Sequence, residues 1–435
     1  TMGGKPSAAV PVPVVPAPVV PVRRPPPDAP AADLLFALTT ALADRNKAQL
    51  VAVLITVVNL ESDARLLECM QHGIGAAVKN ALTQYAGDVQ VALVGCFALG
   101  KLAGAGADAQ VPLVRDGAHT AVIAVLQNSS SDVEVARAAC SALANIGAAP
   151  DYKLPLVRDG AHTAVMAAAR AHSGDAVVAR VACCALRNLA VACETWVPLL
   201  RDGAHAAAMA AMVTHSDDVE VVQPACAVLQ NLAAAVGNVV PLVRAGAHIT
   251  VMAAARTHSG VVRVAESVCS TLANLAHADE NRVPLVRDSA HKAVMAAVRA
   301  HRGDVKVARA ACGALQNLAG AADNRVPLVR DGVHTAVIAA AQAHVGDVKV
   351  ARAACVVLAF LAAAASNRVP LVRDCAHLTL MAAARDHSNN VGVAYPACLA
   401  AQAWPWQKKP TTACRWCATT PTLRSLQRHG PTPAT

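Results

Sequence analysis

Residues 324–366 read NRVPLVRDGVHTAVIAAAQAHVGDVKVARAACVVLAFLAAAAS, and this stretch decides the fold. Its first segment predicts a short helix with Pro327 in the opening turn, where a missing N–H costs little, and Gly332 at the stop. The second segment, from about His334 to His344, is apolar on nearly every side, which predicts a helix buried on most faces. Asp347 follows a glycine and is placed to cap a third helix by accepting its free N–H groups. That third helix carries the pattern Val-x-Val-Ala-x-x-Ala-Cys-x-x-Leu-x-x-Leu. Spacings of three and four gather one apolar stripe on a single side.

The stretch recurs. The proline of its VPLVRDGAH-like phrase falls at Pro112, Pro155, Pro198, Pro241, Pro284, Pro327 and Pro370, a constant step of 43 residues. A fixed period of this size means stacked copies of one supersecondary unit that bury their apolar faces against each other. The cap position recurs as Asp132, Asp175, Asp218, Asp304 and Asn390. A divergent unit precedes the close copies: Asp88-Val89, Cys96 and Leu99 stand 44 residues before Asp132-Val133, Cys140 and Leu143. The expected organisation is a Pro-rich disordered segment at 1–30, a helical cap at 31–68, about eight units over 69–403, and a disordered tail at 404–435.

Composition agrees with a stacked helical array. Hydrophobic residues make up 55% of the chain and aromatics only 2%, so the core has to be built from Ala, Val and Leu. Small side chains let helices approach closely. Eight of the 14 cysteines are one recurring position (Cys96, Cys140, Cys183, Cys226, Cys269, Cys312, Cys355, Cys398) in apolar helical context, where a thiol behaves as a small hydrophobe. Equivalent positions in stacked units lie about 10 Å apart, beyond the ~7 Å Cα separation that a disulfide allows. Reduced thiols and an intracellular location, cytoplasmic or nuclear, are the expectation. The longest clean apolar run near the start, 50–58, is far short of the roughly 20 residues of a membrane span, and no secretory signal is visible. The net charge of +9 sits largely in the two ends, so the array is nearly balanced.

The stretches ACSALANIG (139–147), ACCALRNLA (182–190), ACAVLQNLA (225–233), VCSTLANLA (268–276) and ACGALQNLA (311–319), with the short first helix, resemble the armadillo-repeat family. The resemblance covers roughly residues 70–403 and implies an all-α, right-handed α-solenoid. In that family third helices line a concave groove, and an asparagine there often holds an extended peptide by its backbone. The resemblance places Asn145, Asn188, Asn231, Asn274 and Asn317 in that role; Lys101, Phe360 and Ala403 interrupt the row. Four residues earlier on the same helix face stand Ser141, Cys184, Ala227, Ser270, Gly313 and Val356. The family's nuclear-import adaptors carry tryptophans there, and this chain has no such ladder. Eight residues earlier lie Arg137, Arg180, Gln223, Glu266, Arg309 and Arg352, and Arg187 precedes Asn188. The expectation is a non-catalytic scaffold or adaptor. Its groove takes an extended acidic or phosphorylated protein segment, with asparagines on the backbone and arginines on the carboxylates. Replacing Asn188 and Asn231 together by alanine is expected to weaken the partner with little loss of stability.

The alternative class is an RNA-binding solenoid. It needs a continuous basic stripe, which Gln223 and Glu266 interrupt, and the scarcity of aromatics counts against it. No phosphate loop, serine elbow or HExxH motif is present, so no catalytic residue and no cofactor is assigned. Thirteen histidines fall in two rows, His119 to His377 and His172 to His387, each with a step of 43. Ten residues of helix are about 15 Å and neighbouring units about 10 Å apart, so two such histidines cannot share a metal ion. Cys414 and Cys417 form one CxxC without a second pair, so no metal site is assigned. The Arg-Asp dipeptides of the first helices, such as Arg330-Asp331, are expected to form an ion-pair ladder between units.

Overall fold

The computed structural model describes residues 22–26 and 28–402. The expectations for most of 1–30, for Ala403 and for 404–435, Cys414 and Cys417 included, lie outside them. The described part is all helical, with 26 α-helices and no strand among the described residues. Twenty-four of these helices form eight three-helix units, the first being Asp63–Gln71, Ile74–Gln84 and Val89–Gly104 and the last Arg368–Arg373, Ala376–Asp386 and Val391–Gln402.

The expected cap differs in its boundary. Helices Ala31–Ala43 and Lys47–Val58 pack on Ile74–Gln84 and Val89–Gly104, as second and third helices do from unit to unit. The cap is therefore a unit lacking its first helix. Asp63–Gln71, placed in the cap by the sequence, packs on both other helices of the first unit and belongs to it. Residues 22–26 and 28–30, part of the segment expected to be disordered, are docked on the cap. Arg23 exchanges two hydrogen bonds with the Gln49 side chain, at 2.9 and 2.7 Å, and Arg65 donates to the Ala29 carbonyl.

Local chemistry sets each unit. Asp88, Asp132, Asp175, Asp218, Asp304 and Asp347 cap the third helices by accepting N–H groups of the first turn. Between first and second helix one residue adopts left-handed backbone. Gly332 does so at φ 84, while Ser289 (φ 73) and Cys375 (φ 61) are forced into it at the same position of their units. Pro327 and Pro370 lie in the opening turn as expected. In 107–115, 236–244 and 279–287 the helix begins earlier, and Pro112, Pro241 and Pro284 are interior.

Stacking follows from the stripe on the third helix. Valines, alanines, leucines and the recurring cysteine face neighbouring third helices and are almost fully buried, for example Val307, Ala311, Cys312, Leu315 and Leu318. The thiols of Cys140, Cys183, Cys226, Cys269, Cys312 and Cys355 are free, and burial pushes each up to about 12, so they are inert core groups. Third helices pack on each other more extensively than second helices do. At Gly100 a Cβ would stand 3.4 Å from the Ala142 Cα, a measure of how close these helices come.

A second link joins units through the first histidine row. His119, His162, His248, His291 and His334 are buried, and the Nε2 of each lies 2.8–3.1 Å from the carboxylate of the aspartate 40 residues on. The ladder between units is thus histidine to aspartate. The arginines expected to make it, such as Arg201 and Arg373, are exposed and pair with the aspartate beside them in their own unit. In the second row, His215, His258 and His387 cap helix ends and hydrogen-bond carbonyls of the preceding unit.

Among units two to eight one junction lacks the histidine–aspartate bond, though His258 still reaches the Ser216 carbonyl across it. Opposite His205 stands Ala245 in place of aspartate, and His205 is only half-buried. Val261 replaces the capping aspartate and provides no side-chain cap. Gln223 replaces arginine, and Pro224 removes a backbone donor from the middle of helix Val219–Leu232. Units four and five are therefore joined without the histidine–aspartate bond, through His258 on Ser216, Asn274 on Gln230 and Asn238 on Trp196. Ala245→Asp is expected to restore the histidine bond and to slow amide exchange across this junction. The gain should be on the order of 1 kcal/mol; unchanged exchange would show that the missing bond carries no weight at this junction.

Acid should loosen this ladder at His291. Burial holds His291 below the ordinary histidine value, the bond from Asp331 opposing it only in part, and burial also lowers His205. A depressed histidine contributes stability that is complete above its unfolded value and lost as pH falls through the folded one. Asp331, bonded by His291, and Asp202, bonded first by Arg201 and then His162, are held at about 2, so their share persists until far lower pH. The melting temperature is expected to fall between pH 7 and pH 5, and His291→Gln should flatten that fall. A melting temperature constant across this range contradicts the assignment.

Candidate functional site

The third-helix layer carries the asparagine row. Asn145, Asn188, Asn231, Asn274 and Asn317 are all half-buried. Each Nδ2 donates to a main-chain carbonyl of the preceding third helix: Gly100 at 2.9 Å, Ala144 at 2.8 Å, Arg187 at 3.3 Å, Gln230 at 3.4 Å and Ala273 at 2.8 Å. One N–H is committed to the stack and fixes the rotamer. The second N–H and the Oδ1 remain for another group, except at Asn188, whose Oδ1 accepts from Arg187 at 3.2 and 3.3 Å. The expectation of little stability loss on removing Asn188 and Asn231 changes accordingly, because each removal also unties two helices.

The residues one turn earlier keep the channel open. Ser141, Cys184, Ala227, Ser270, Gly313 and Val356 are small or compact and half-buried. In the seventh unit Phe360 takes the asparagine position and carries the Arg325 guanidinium over its ring at 5.9 Å.

The arginine row divides. Arg137 is bonded to Asp175 and Glu134, and Arg309 to Asp347, so both guanidiniums are held by the capping aspartate of the next unit. Asp347 is held at about 2, chiefly by the Arg309 bond. Arg180 and Arg352 are in no ion pair among the described residues; residue 390, opposite Arg352, is asparagine. Free cationic donors on this face are therefore Arg180 and Arg352, with Lys101 at the first unit.

A second asparagine row was legible only in part. Asn238, Asn281, Asn324 and Asn367 are buried, and each Nδ2 bridges two carbonyls, one at the end of the preceding third helix and one in the preceding first helix. The sequence shows Asn281, Asn324 and Asn367 recurring, and nothing in it separates a clamp from a ligand row. No group of three or more His, Cys, Asp or Glu that could hold a metal ion exists among the described residues.

With this geometry, likeness to known proteins is informative. A family model described as LRRK2 ARM repeat matches residues 159–285. An engineered protein solved by the Northeast Structural Genomics Consortium superposes with a TM-score of 0.72 at 20% identity, over 86% of this chain and 93% of its own. A chain from a structure described as a conserved phosphorylation switch controlling the interaction between cadherin and beta-catenin superposes with a TM-score of 0.61 at 13% identity, over 86% and 85%. No curated protein sequence matches significantly. This chain has the fold of an armadillo-type α-solenoid.

The two asparagine rows should separate in mutagenesis. Asn324→Ala orphans the Leu318 and Arg282 carbonyls in the interior and is expected to cost about 1–3 kcal/mol. Asn317→Ala, half-exposed with one bond, should cost about 1 kcal/mol or less. Urea unfolding midpoints measure both; a larger loss at Asn317 would reverse the division between clamp and groove.

Proposed function

We propose that this protein is a non-catalytic scaffold whose third-helix groove binds an extended segment of a partner protein, one rich in acidic or phosphorylated residues. One observation carries the reading. Five asparagines stand one per unit in a single row, each pinned through one N–H while its remaining polar atoms border an open channel. Stacked units about 8–10 Å apart and a strand rise of about 3.3 Å per residue give each unit two to three peptide residues. An amide can then meet the peptide backbone at regular intervals whatever the sequence. Selectivity for acid rests on Arg180, Arg352 and Lys101; Arg137 and Arg309 would contribute by exchanging their internal carboxylates for the partner's. The cadherin–beta-catenin structure supports the class of activity, since its description concerns a protein interaction governed by phosphorylation. The proposal places this work inside the cell.

Fluorescence anisotropy with labelled 12-residue peptides tests it. (Glu-Ala)6 is expected to bind and (Lys-Ala)6 not. Arg180→Glu with Arg352→Glu should weaken (Glu-Ala)6 at least tenfold, about 1.4 kcal/mol, with the melting temperature unchanged. Equal binding of both peptides removes the acidic preference. A 12-residue RNA that binds more tightly than either, with steep salt dependence, would favour a nucleic-acid groove.

A further inference from the structure

Where the groove begins, the third helices of the cap and of the first two units leave a pocket of about 310 Å³. Phe97, 43% exposed, forms one wall, with Val58 and Leu66 beside it. Gly100 and Gly104 make the floor, and Ser141 and Asn145 close the far side. The space exists because Gly104 has no side chain: a Cβ there would meet only the Asn145 Nδ2, at 4.0 Å. Lys101 and Asp63 stand on the rim, exposed and in no ion pair among the described residues.

This unit breaks the groove's rule. Phe97 and Lys101 occupy the two positions that hold a small residue and an asparagine in the five units that follow. An aromatic ring left facing an open pocket is an apolar surface without a partner, and a cation one turn along is a charge without one. We infer that this pocket seats one large apolar side chain of the bound segment, with an acidic residue next to it meeting Lys101. Asp63 on the opposite rim repels acid there, so the pair fixes which side of the apolar residue the acid occupies. Elsewhere the groove meets the peptide backbone through one amide per unit, and that row sets no register; an anchor at one end supplies it. The inference rests on the groove reading above.

The test uses the full chain and two labelled probes, (Glu-Ala)6 and the same peptide with one central alanine replaced by leucine. The leucine peptide is expected to bind about tenfold more tightly. Phe97→Ala should abolish that gain, and so should Gly104→Leu, which fills the pocket; Lys101→Glu should reduce it. Unchanged melting temperatures establish that the variants are folded. If both probes bind the unmodified protein equally, or if the leucine gain survives Gly104→Leu, the pocket is not an anchor although the groove stands. If neither probe binds, the groove reading fails and the anchor with it.

Discussion

The end of each third helix presents carbonyls that its own helix cannot satisfy, and the stack buries them between units. Everything else follows from how those carbonyls are met. In the later units the donor is a buried asparagine of the next unit, bridging from the third-helix end to the preceding first helix, as Asn324 bridges Leu318 and Arg282. In earlier units other donors serve: Gln110 reaches Ala103, Lys153 reaches Gly147, and Thr195 reaches Leu189. Arg282 and Arg368 add a cation at the same ends, where the helix dipole is negative. An unmet buried carbonyl costs about 1–3 kcal/mol, so one unit can only be set on the next where such a donor lies in reach. That requirement fixes the stacking geometry, and the stacking geometry brings the groove asparagines into one row.

Period and pattern were enough to read the helices, the caps and the third-helix stripe from the sequence, because each depends on residues close in the chain. Asp347 as a cap and Cys312 as core are local facts. The cap's boundary was less accessible. Asp63–Gln71 has lost the VPLVR phrase, and only its packing assigns it to the first unit. The pairing of His291 with Asp331 spans 40 residues and needs the stacking of one unit on the next before it can be seen. The same holds for Arg137 and Arg309. Sequence spacing put them on the groove face, and the structure adds that the next unit's capping aspartate stands opposite. A capping residue was read for its own helix, and its second use lay one unit away.

That second use changes the electrostatics of the groove. A row of arginines suggests a continuous basic track, yet a guanidinium already bonded to a carboxylate offers little net field. Positive potential is concentrated where the opposite carboxylate is missing, at Arg352 facing Asn390, and where the pairing is not made, at Arg180. A partner with evenly spaced acids would gain at these places and gain less at Arg137 and Arg309, where it has to displace an internal ion pair. Spacing of acids in the partner therefore matters more than their number.

Near-identical units pose a problem for any specific binder, because a ligand can slide by one repeat and make the same contacts. Specificity must come from positions where the repeat is broken. On the groove face the breaks are few: Phe97 with Lys101 in the first unit, Gln223 and Glu266 in the middle, and Phe360 under Arg325 near the end. The middle break coincides with the junction that lacks its histidine–aspartate bond. The groove thus has distinct features at its two ends, separated by a centre in which Gln223 and Glu266 stand in place of arginines. A long segment engaging both ends can lie in only one register, while short segments meet the uniform amide row and bind without one.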